Sequence, residues 1–502
     1  MKLRYIYLFI FSLCFLTYFN CLKSQPVSDD YEAVFNNPNV EHQINFLHID
    51  TVIKGGLHKV FKSNPVPYHA TSVILHAVNC GLVYLLLARF FPPISALLGT
   101  CFFAVHPLHT EAVTWISGLG YIENSLFFLT VLLIYDASFF WYFVSVFLLA
   151  LFGYAQFPWF ILAGPLVLVY EVTKRGFKRV YIVIPYFIIG GIYFWKKFYL
   201  VQDRIRAVFT NIPVQDYIHN PLIPIMHSIA NNFVATFVPL NITLYHEPIF
   251  ITPWMIKVEA VFVLAILALS FWLYKRSKAL FLGLMFFLVG IAPTLSPAPV
   301  AWLMADRYLY FPTILLSFIV AFLYANSHRK YGGVVLILIF LVFLGYMART
   351  VARNEDYRTI RRYWEETAKT SPLSPRAHNE FGRVLFMEQN FKASLEEFKA
   401  SLRLSPNYSI AWNNLAVNFQ VLGDYKNAVL ADEEAIKYAP RLFEANFSAG
   451  VIYLNSDKFD KSVTRLEVAH DIRPDNQDVV KCLDLAKRGL KGEKLPEITN
   501  GK

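Results

Sequence analysis

The chain has 502 residues, 56% of them hydrophobic, 17% aromatic and only 16% charged, with a formal net charge of +10. So few charges cannot cover the surface of a wholly soluble protein of this length. The positive balance is not a nucleic-acid signature either, because no basic patch with interleaved aromatics occurs along the chain.

Membrane spans need about 17–25 predominantly apolar residues. They are expected at 4–22, 68–90, 94–116, 119–136, 139–155, 157–173, 180–199, 256–274, 279–295, 308–326 and 331–348, about eleven in all. The first, MKLRYIYLFIFSLCFLTYF, reads as a retained signal-anchor, since no small-x-small cleavage site follows it. YFNC, ending at Cys21, is a poor lipoprotein box. Behind this span lies PVSDDYEAVFNNP, residues 26–38, with Asp29 and Asp30 adjacent and Glu32 close by. The stretch 221–244 is interrupted by His227, Asn231, Asn232, Pro239 and Asn241, and is expected as a re-entrant or interfacial helix.

Orientation follows from basic loops, which stay cytoplasmic. Lys2 and Arg4 hold the N-terminus inside. Eleven spans then put KRGFKR (174–179), YKRSK (274–278) and HRK (328–330) on the same side. A twelfth span at 221–244 would put the last two clusters outside. The Asp29 loop, the 200–255 loop and everything after the last span are therefore expected outside the cytoplasm.

The apolar runs stop near Met347. Beyond them Pro372, Pro406, Pro440 and Pro474 recur every 34 residues, the tetratricopeptide period of a helix-turn-helix unit that must stack on a neighbour to bury its apolar face. Gly382, Ala416 and Gly450 occupy the small position where the paired helices touch. The fold class expected is all-α: a polytopic membrane domain over 1–350, a connecting helix over 351–374, a tetratricopeptide-repeat solenoid over 375–491 and a disordered tail over 492–502. Cys14, Cys21, Cys80, Cys101 and Cys482 form no disulfide framework and no CxxC pair.

Charged side chains in or beside spans are costly, so each marks a candidate site. Three groups stand out, all on the outer side of this topology: Asp29 with Asp30; His106, His109 and Glu111 in HPLHTEAVTW; and Asp306 with Arg307 in MADRYLYFP. The spacing of His106 and His109 places both on one helical face, with Pro107 kinking or restarting the helix. Two histidines and a glutamate are metal ligands by type, but the pattern is not that of a zinc protease. Taken singly, each group also fits an interfacial cap or a helix-end pair.

The loop DDYEAVFNNPNV, then FAVHPLHTEAVTWISG, ADRYLYFPT and NEDYRTIRRYWEETAKTSPLSPRAHNEFG, in that order over most of the chain, resemble the transmembrane and tetratricopeptide-repeat family of protein O-mannosyltransferases, within the GT-C class of membrane glycosyltransferases. The resemblance implies an inverting transferase that takes a sugar from a polyprenyl-phosphate donor at the outer face and passes it to a hydroxyl of a protein or glycan acceptor. It makes Asp29 or Asp30 the general base, with Asp29 preferred. Arg307 would meet the departing lipid phosphate, and His106, His109, Glu111 and Asp306 would shape the pocket or hold donor and acceptor. Lys196, Lys197, Arg204 and Arg206 would steer the anionic head-group or form a solvated cluster. No metal, no other cofactor and no nucleic acid are implied; the repeats would recruit the acceptor or protein partners. The membrane expected is a prokaryotic plasma membrane, or the endoplasmic reticulum in a eukaryote.

Two positions depart from the family. Where it carries glycine, arginine, any residue and an acid after ISG, this chain reads GLGYIEN, with Leu119 for the arginine and Glu123 displaced. Where it carries Ser-Lys-Glu before the sixth span, Phe157, Pro158 and Trp159 stand here. The departures leave open a different donor or acceptor, or loss of activity. A non-catalytic membrane scaffold displaying repeats is the alternative. A transporter fits less well, because no repeated halves are visible.

Overall fold

A computed structural model of the chain describes residues 2–37, 40, 49–152, 162–196, 222–240, 242–244, 246, 252–295, 304–327 and 331–493. Two compact units divide it, Met1–Tyr363 and Trp364–Lys502.

The first unit contains α1 (Leu3–Tyr18), α2 (Ile49–Phe61), α3 (Val66–Leu87), α4 (Pro93–Ala104), the one-turn α5 (Thr110–Thr114), α6 (Leu119–Tyr135), α7 (Phe139–Phe152) and α8 (Ala163–Arg175). It continues with α9 (184–196), α10 (Leu222–Phe237), α11 (Pro253–Arg276), α12 (Lys278–Ile291), α13 (Ile314–Ala325) and α14 (Gly332–Asn354). α15 (Ile360–Thr370) follows across the boundary.

Among the described residues, six helical stretches rather than eleven are long and apolar enough to cross a membrane: Leu3–Lys23, Val66–Leu87, Ile116–Tyr135, Ala163–Lys196, Pro253–Arg276 and Gly332–Tyr357. Their apolar side chains face outward where a soluble protein would place charges; on α14, Ile337 is 60% and Leu341 58% exposed. The difference from the expected spans lies in broken helices. The expected span 94–116 stops after α4, whose 12 residues reach only ~18 Å of a hydrocarbon core ~30 Å thick. The expected span 308–326 becomes helical only at Ile314, after a tight turn at Asp306–Leu309. The expected spans 157–173 and 180–199 meet at KRGFKR, where Gly176 takes φ +70° and Arg179 leaves helical geometry. Residues 221–244 yield the 16-residue helix α10.

Broken helices free backbone groups that lipid cannot satisfy, so such breaks need protein around them. Here His76 reaches the Ala104 carbonyl at 3.1 Å and Thr350 donates to the Val105 carbonyl at 2.7 Å. Tyr346 donates to the carbonyl of Phe237, the last residue of α10, at 2.7 Å. α4 lies close against α13: a Cβ on Gly99 would sit 2.3 Å from the Ser317 carbonyl oxygen. That approach buries Phe102, Phe103, Phe318 and Ala321 in one core with α1, α3 and α6.

The second unit is a tetratricopeptide-type solenoid. Three helix pairs, α16 (Pro375–Met387) with α17 (Phe391–Leu404), α18 (Ser409–Val421) with α19 (Tyr425–Tyr438), and α20 (Phe443–Asn455) with α21 (Phe459–Ile472), are followed by α22 (Gln477–Leu490). Its period is kept by geometry more than by identity. His378, Trp412 and Asn446 stand 34 residues apart, and their ring or amide nitrogens donate to the carbonyls of Pro372, Pro406 and Pro440 at 3.1, 2.8 and 3.0 Å. Side chains of Ser374, Asn390, Asp424 and Asn476 accept first-turn N–H groups as caps. At the helix contact, Gly382 faces Phe398 and Gly450 faces Leu466, with no room for a Cβ. In the middle repeat the residue equivalent to Phe398 and Leu466 is the buried Asp432. Residues 494–502 of the expected tail lie outside the described residues.

Candidate active site

After α1 the chain makes a tight turn, Phe19–Lys23, runs extended to Val27, and bends at Ser28 with φ +54°. Asp29 and Asp30 lead into a single wide turn, Tyr31–Phe35, with π-helical hydrogen bonding. The two carboxylates have different environments. Asp30 is fully buried and accepts from Val27 N at 3.0 Å, Ser117 N at 2.9 Å and Ser117 Oγ at 2.6 Å. Burial still pushes its carboxyl up to about 6, against those hydrogen bonds. Asp29 is exposed; the surrounding protein still raises its carboxyl by desolvation, while the positive charges of Arg307 and Lys54 pull it back.

Asn354, at the end of α14, ties this loop's base to the HPLHTEAV segment. Its amide donates to the Thr17 carbonyl at 2.9 Å and to Asn20 Oδ1 at 3.0 Å, and its Oδ1 accepts from Thr114 Oγ1 at 2.9 Å. Gln25 N donates to the Arg358 carbonyl at 3.0 Å. The first, third and last expected spans are thus held at one place.

Glu111 and Arg307 form the second element. Glu111 Oε2 accepts from Arg307 N at 2.8 Å, and its Oε1 pairs with Arg307 Nη1. Arg307 Nε donates to Tyr121 OH at 3.2 Å. The guanidinium lies over the rings of Tyr308, Trp115 and Tyr121, at 5.1, 5.5 and 5.9 Å from their centres. A small cleft opens beside it, lined by Tyr121, Asn124, Ser125, Arg307, Tyr308 and Tyr310 among others. Asp306 accepts from His246 Nε2 at 3.0 Å.

His106 and His109 do not share a helical face. The helix ends at Ala104, His106 caps a three-residue turn starting at Pro107, and His109 closes that turn. Proline cannot donate to a continuing helix, and after the break the two rings, their centres 5.3 Å apart, turn to different partners. His106 Nε2 donates to the Thr236 carbonyl at 3.0 Å, whereas His109 Nε2 meets Thr313 Oγ1 at 2.7 Å. Both rings are fully buried. Lys196 is exposed at the end of α9, and Lys197, Arg204 and Arg206 lie outside the described residues.

No family model matches the chain. It is 23% identical over 478 residues to "Protein O-mannosyl-transferase TMTC3" of Homo sapiens, covering 82% of this chain and 52% of that protein. It is 22% identical over 453 residues to "Protein O-mannosyl-transferase F38B6.6" of Caenorhabditis elegans, covering 80% and 63%. The chain is a relative of these protein O-mannosyl-transferases. It spans about half the length of the human relative. Among solved structures, "Crystal structure of APC/C hetero-tetramer Cut9-Hcn1" is similar at 14% identity and a TM-score of 0.26, with 84% of each chain covered.

Two departures from the O-mannosyl-transferase pattern are placed differently. Leu119 opens α6 in the core and Glu123 is buried one turn on; Phe157, Pro158 and Trp159 lie outside the described residues. Lys54, Ser117, Tyr121 and Asn354 join the site although they were not sequence candidates. The signal for Ser117 and Asn354 was their place inside the ISG and NEDYR motifs; Lys54 and Tyr121 carry no local signal. The sequence carries three N-x-Ser/Thr sequons, at Asn241, Asn407 and Asn446; Asn446 is buried with its amide donating to the Pro440 carbonyl. Asn407 is exposed, and Asn241 is outside the described residues.

Proposed function

We propose that this chain is a membrane glycosyltransferase of the GT-C type that moves mannose or a similar sugar from a polyprenyl-phosphate donor to an acceptor hydroxyl on the non-cytoplasmic face. The observation that carries the proposal is the contrast between the paired carboxylates. Asp30 is buried and locked by three donors, while Asp29 stands exposed under the charges of Arg307 and Lys54. The similarity to protein O-mannosyl-transferases supports the reaction class.

In this reading the acceptor oxygen attacks the anomeric carbon as its proton passes to Asp29. The carbon–oxygen bond to phosphate breaks on the opposite face, inverting the centre, and the lipid phosphate leaves with the electron pair. Arg307 receives the growing negative charge; its planar fork suits a phosphate better than a lysine would. Glu111, Tyr121 and the surrounding rings hold the guanidinium in place. His106 and His109 act as pillars for the broken helix rather than as groups that touch the sugar. The solenoid recruits the acceptor or partner proteins. Leu119 in place of the family arginine favours one other reading, a member that keeps the scaffold and displays repeats without transferring sugar.

Asp29→Asn and Asp30→Asn, made separately, test the assignment by glycan occupancy with polyprenyl-phosphate mannose as donor. Asp29→Asn is expected to lose transfer by about 10²-fold or more at normal protein level. Unchanged occupancy in the double variant overturns the general-base role.

A further inference from the structure

Between α1 and α3, outside the cleft, three side chains with soft or borderline donor atoms converge. Cys14 Sγ is 3.6 Å from Cys80 Sγ, and Cys80 Sγ is 3.7 Å from His76 Nε2. All three donor atoms lie within 4.8 Å of one another, and all three residues are fully buried. His76 and Cys80, one turn apart, present both donors from one face of α3 to Cys14 on α1.

We propose that Cys14, His76 and Cys80 form a zinc site that fastens the first span to the second. The edge lengths match the ion. With zinc–sulfur bonds of about 2.3 Å and a tetrahedral angle, two thiolate sulfurs stand about 3.8 Å apart, and a sulfur and an imidazole nitrogen about 3.5 Å. The two edges at Cys80 are close to those of a coordination shell, and the third, from Cys14 to His76, is at most 4.8 Å. Charge points to a divalent ion. Zn²⁺ displaces one proton from each thiol, and two thiolates with a neutral imidazole leave the cluster uncharged, as a buried site in a membrane domain requires. The tautomer is also provided for. His76 Nδ1 lies 2.7 Å from Tyr310 OH; when the metal takes Nε2, the ring proton moves to Nδ1 and donates to that hydroxyl, the usual outer support of a metal-bound histidine. The Ala104 carbonyl, 3.1 Å from Nε2, then loses its donor and its oxygen becomes available as a fourth ligand for the ion.

The site would do more than join two helices. Tyr310 lies three residues beyond Arg307, and its hydroxyl also accepts from Asn79 Nδ2 at 3.2 Å. A metal on His76 would thereby stiffen the turn that carries Arg307. The inference stands on the thiol and imidazole geometry and does not depend on sugar transfer.

The test uses the full chain in detergent, stripped with a chelator and reloaded with Zn²⁺ alone. In the unaltered protein, zinc is expected to slow alkylation of Cys14 and Cys80 by N-ethylmaleimide at least tenfold. Cys21 and Cys101, buried in the same domain, serve as internal references whose labelling changes little. Bound zinc should fall by one equivalent per chain in Cys14→Ser and Cys80→Ser and stay unchanged in Cys482→Ser. Equal labelling of Cys14 and Cys80 with and without zinc, which needs no variant to fold, overturns the site and leaves a packed pair of thiols. Protection by Cu⁺ but not by Zn²⁺ overturns the choice of zinc.

Discussion

Glu111 grips Arg307 twice, once through the backbone N–H at 2.8 Å and once through the guanidinium. These residues are 196 apart in sequence and sit on two separate breaks in apolar helices. One carboxylate therefore sets both where the turn at 306–309 begins and where its cation points. A charge pair this deep costs desolvation that its own attraction offsets only when the geometry is held. The aromatic enclosure by Trp115, Tyr121 and Tyr308 does the holding.

Removing one partner should therefore be worse than removing both. Glu111→Gln is expected to lower stability by about 3–5 kcal/mol, because a buried guanidinium is left without its counter-charge. Thermal unfolding in detergent reads this directly. Arg307→Lys should fail to restore function despite keeping the charge, since an ammonium cannot reach both Glu111 and Tyr121 in the same plane. Equal stability of Glu111→Gln and the unaltered chain would show that the pair is not closed in solution.

Asp30 gives the loop a pH dependence. Its folded carboxyl sits near 6, above the ordinary aspartate range, so the protonated form is the better fit to the fold. The stability it contributes is complete below the unfolded value near pH 4 and is lost as pH rises through about 6, a change of roughly 3 kcal/mol at most. Amide exchange across residues 24–36 should accelerate over that interval. Asp30→Asn should flatten the profile; an unaltered slope in that variant would move the titration to another group.

Asp432 makes the corresponding case in the solenoid. Burial pushes its carboxyl up to about 8, and Ser448 pulls against that. Stability is again greatest when the group is protonated and falls as pH rises toward 8. Asp432→Leu paired with Ala416→Gly, which reproduces the Gly450–Leu466 contact of the neighbouring repeat, is expected to stabilise the full chain's repeat unit by about 1–3 kcal/mol at pH 8. Limited proteolysis after α15 would measure it. A loss of stability would mean that the Gln420–Ser448–Asp432 chain contributes more than an apolar contact.

Gly99→Ala probes the approach of α4 to α13. Its methyl would meet the backbone oxygen of Ser317 at 2.3 Å, an atom that cannot swing away. Separation of the helices should cost about 1–3 kcal/mol, seen as a lower melting temperature and faster exchange over 314–325. Gly120→Ala, where a Cβ meets nothing within 4 Å, is the control and should be near neutral.

Local patterns carried much of the fold. Proline every 34 residues announced a helix-pair array, because each pair needs the same turn and the same small residue at its contact. Apolar composition announced a membrane domain, since nothing else tolerates that little charge. Residues 26–38, the HPLHTEAV string and Arg307 were legible as unusual because charge beside lipid is expensive. Hydropathy could not show which apolar runs break, and so it joined α4 to the histidine turn and α13 to the Arg307 turn. A helix break depends on whether distant side chains such as His76, Thr350 and Tyr346 arrive to take the freed carbonyls. For the same reason sequence alone could not separate Asp29 from Asp30. Adjacent carboxylates are equivalent in a string of letters, and only the tertiary fold brings Ser117 to one and the charges of Arg307 and Lys54 to the other.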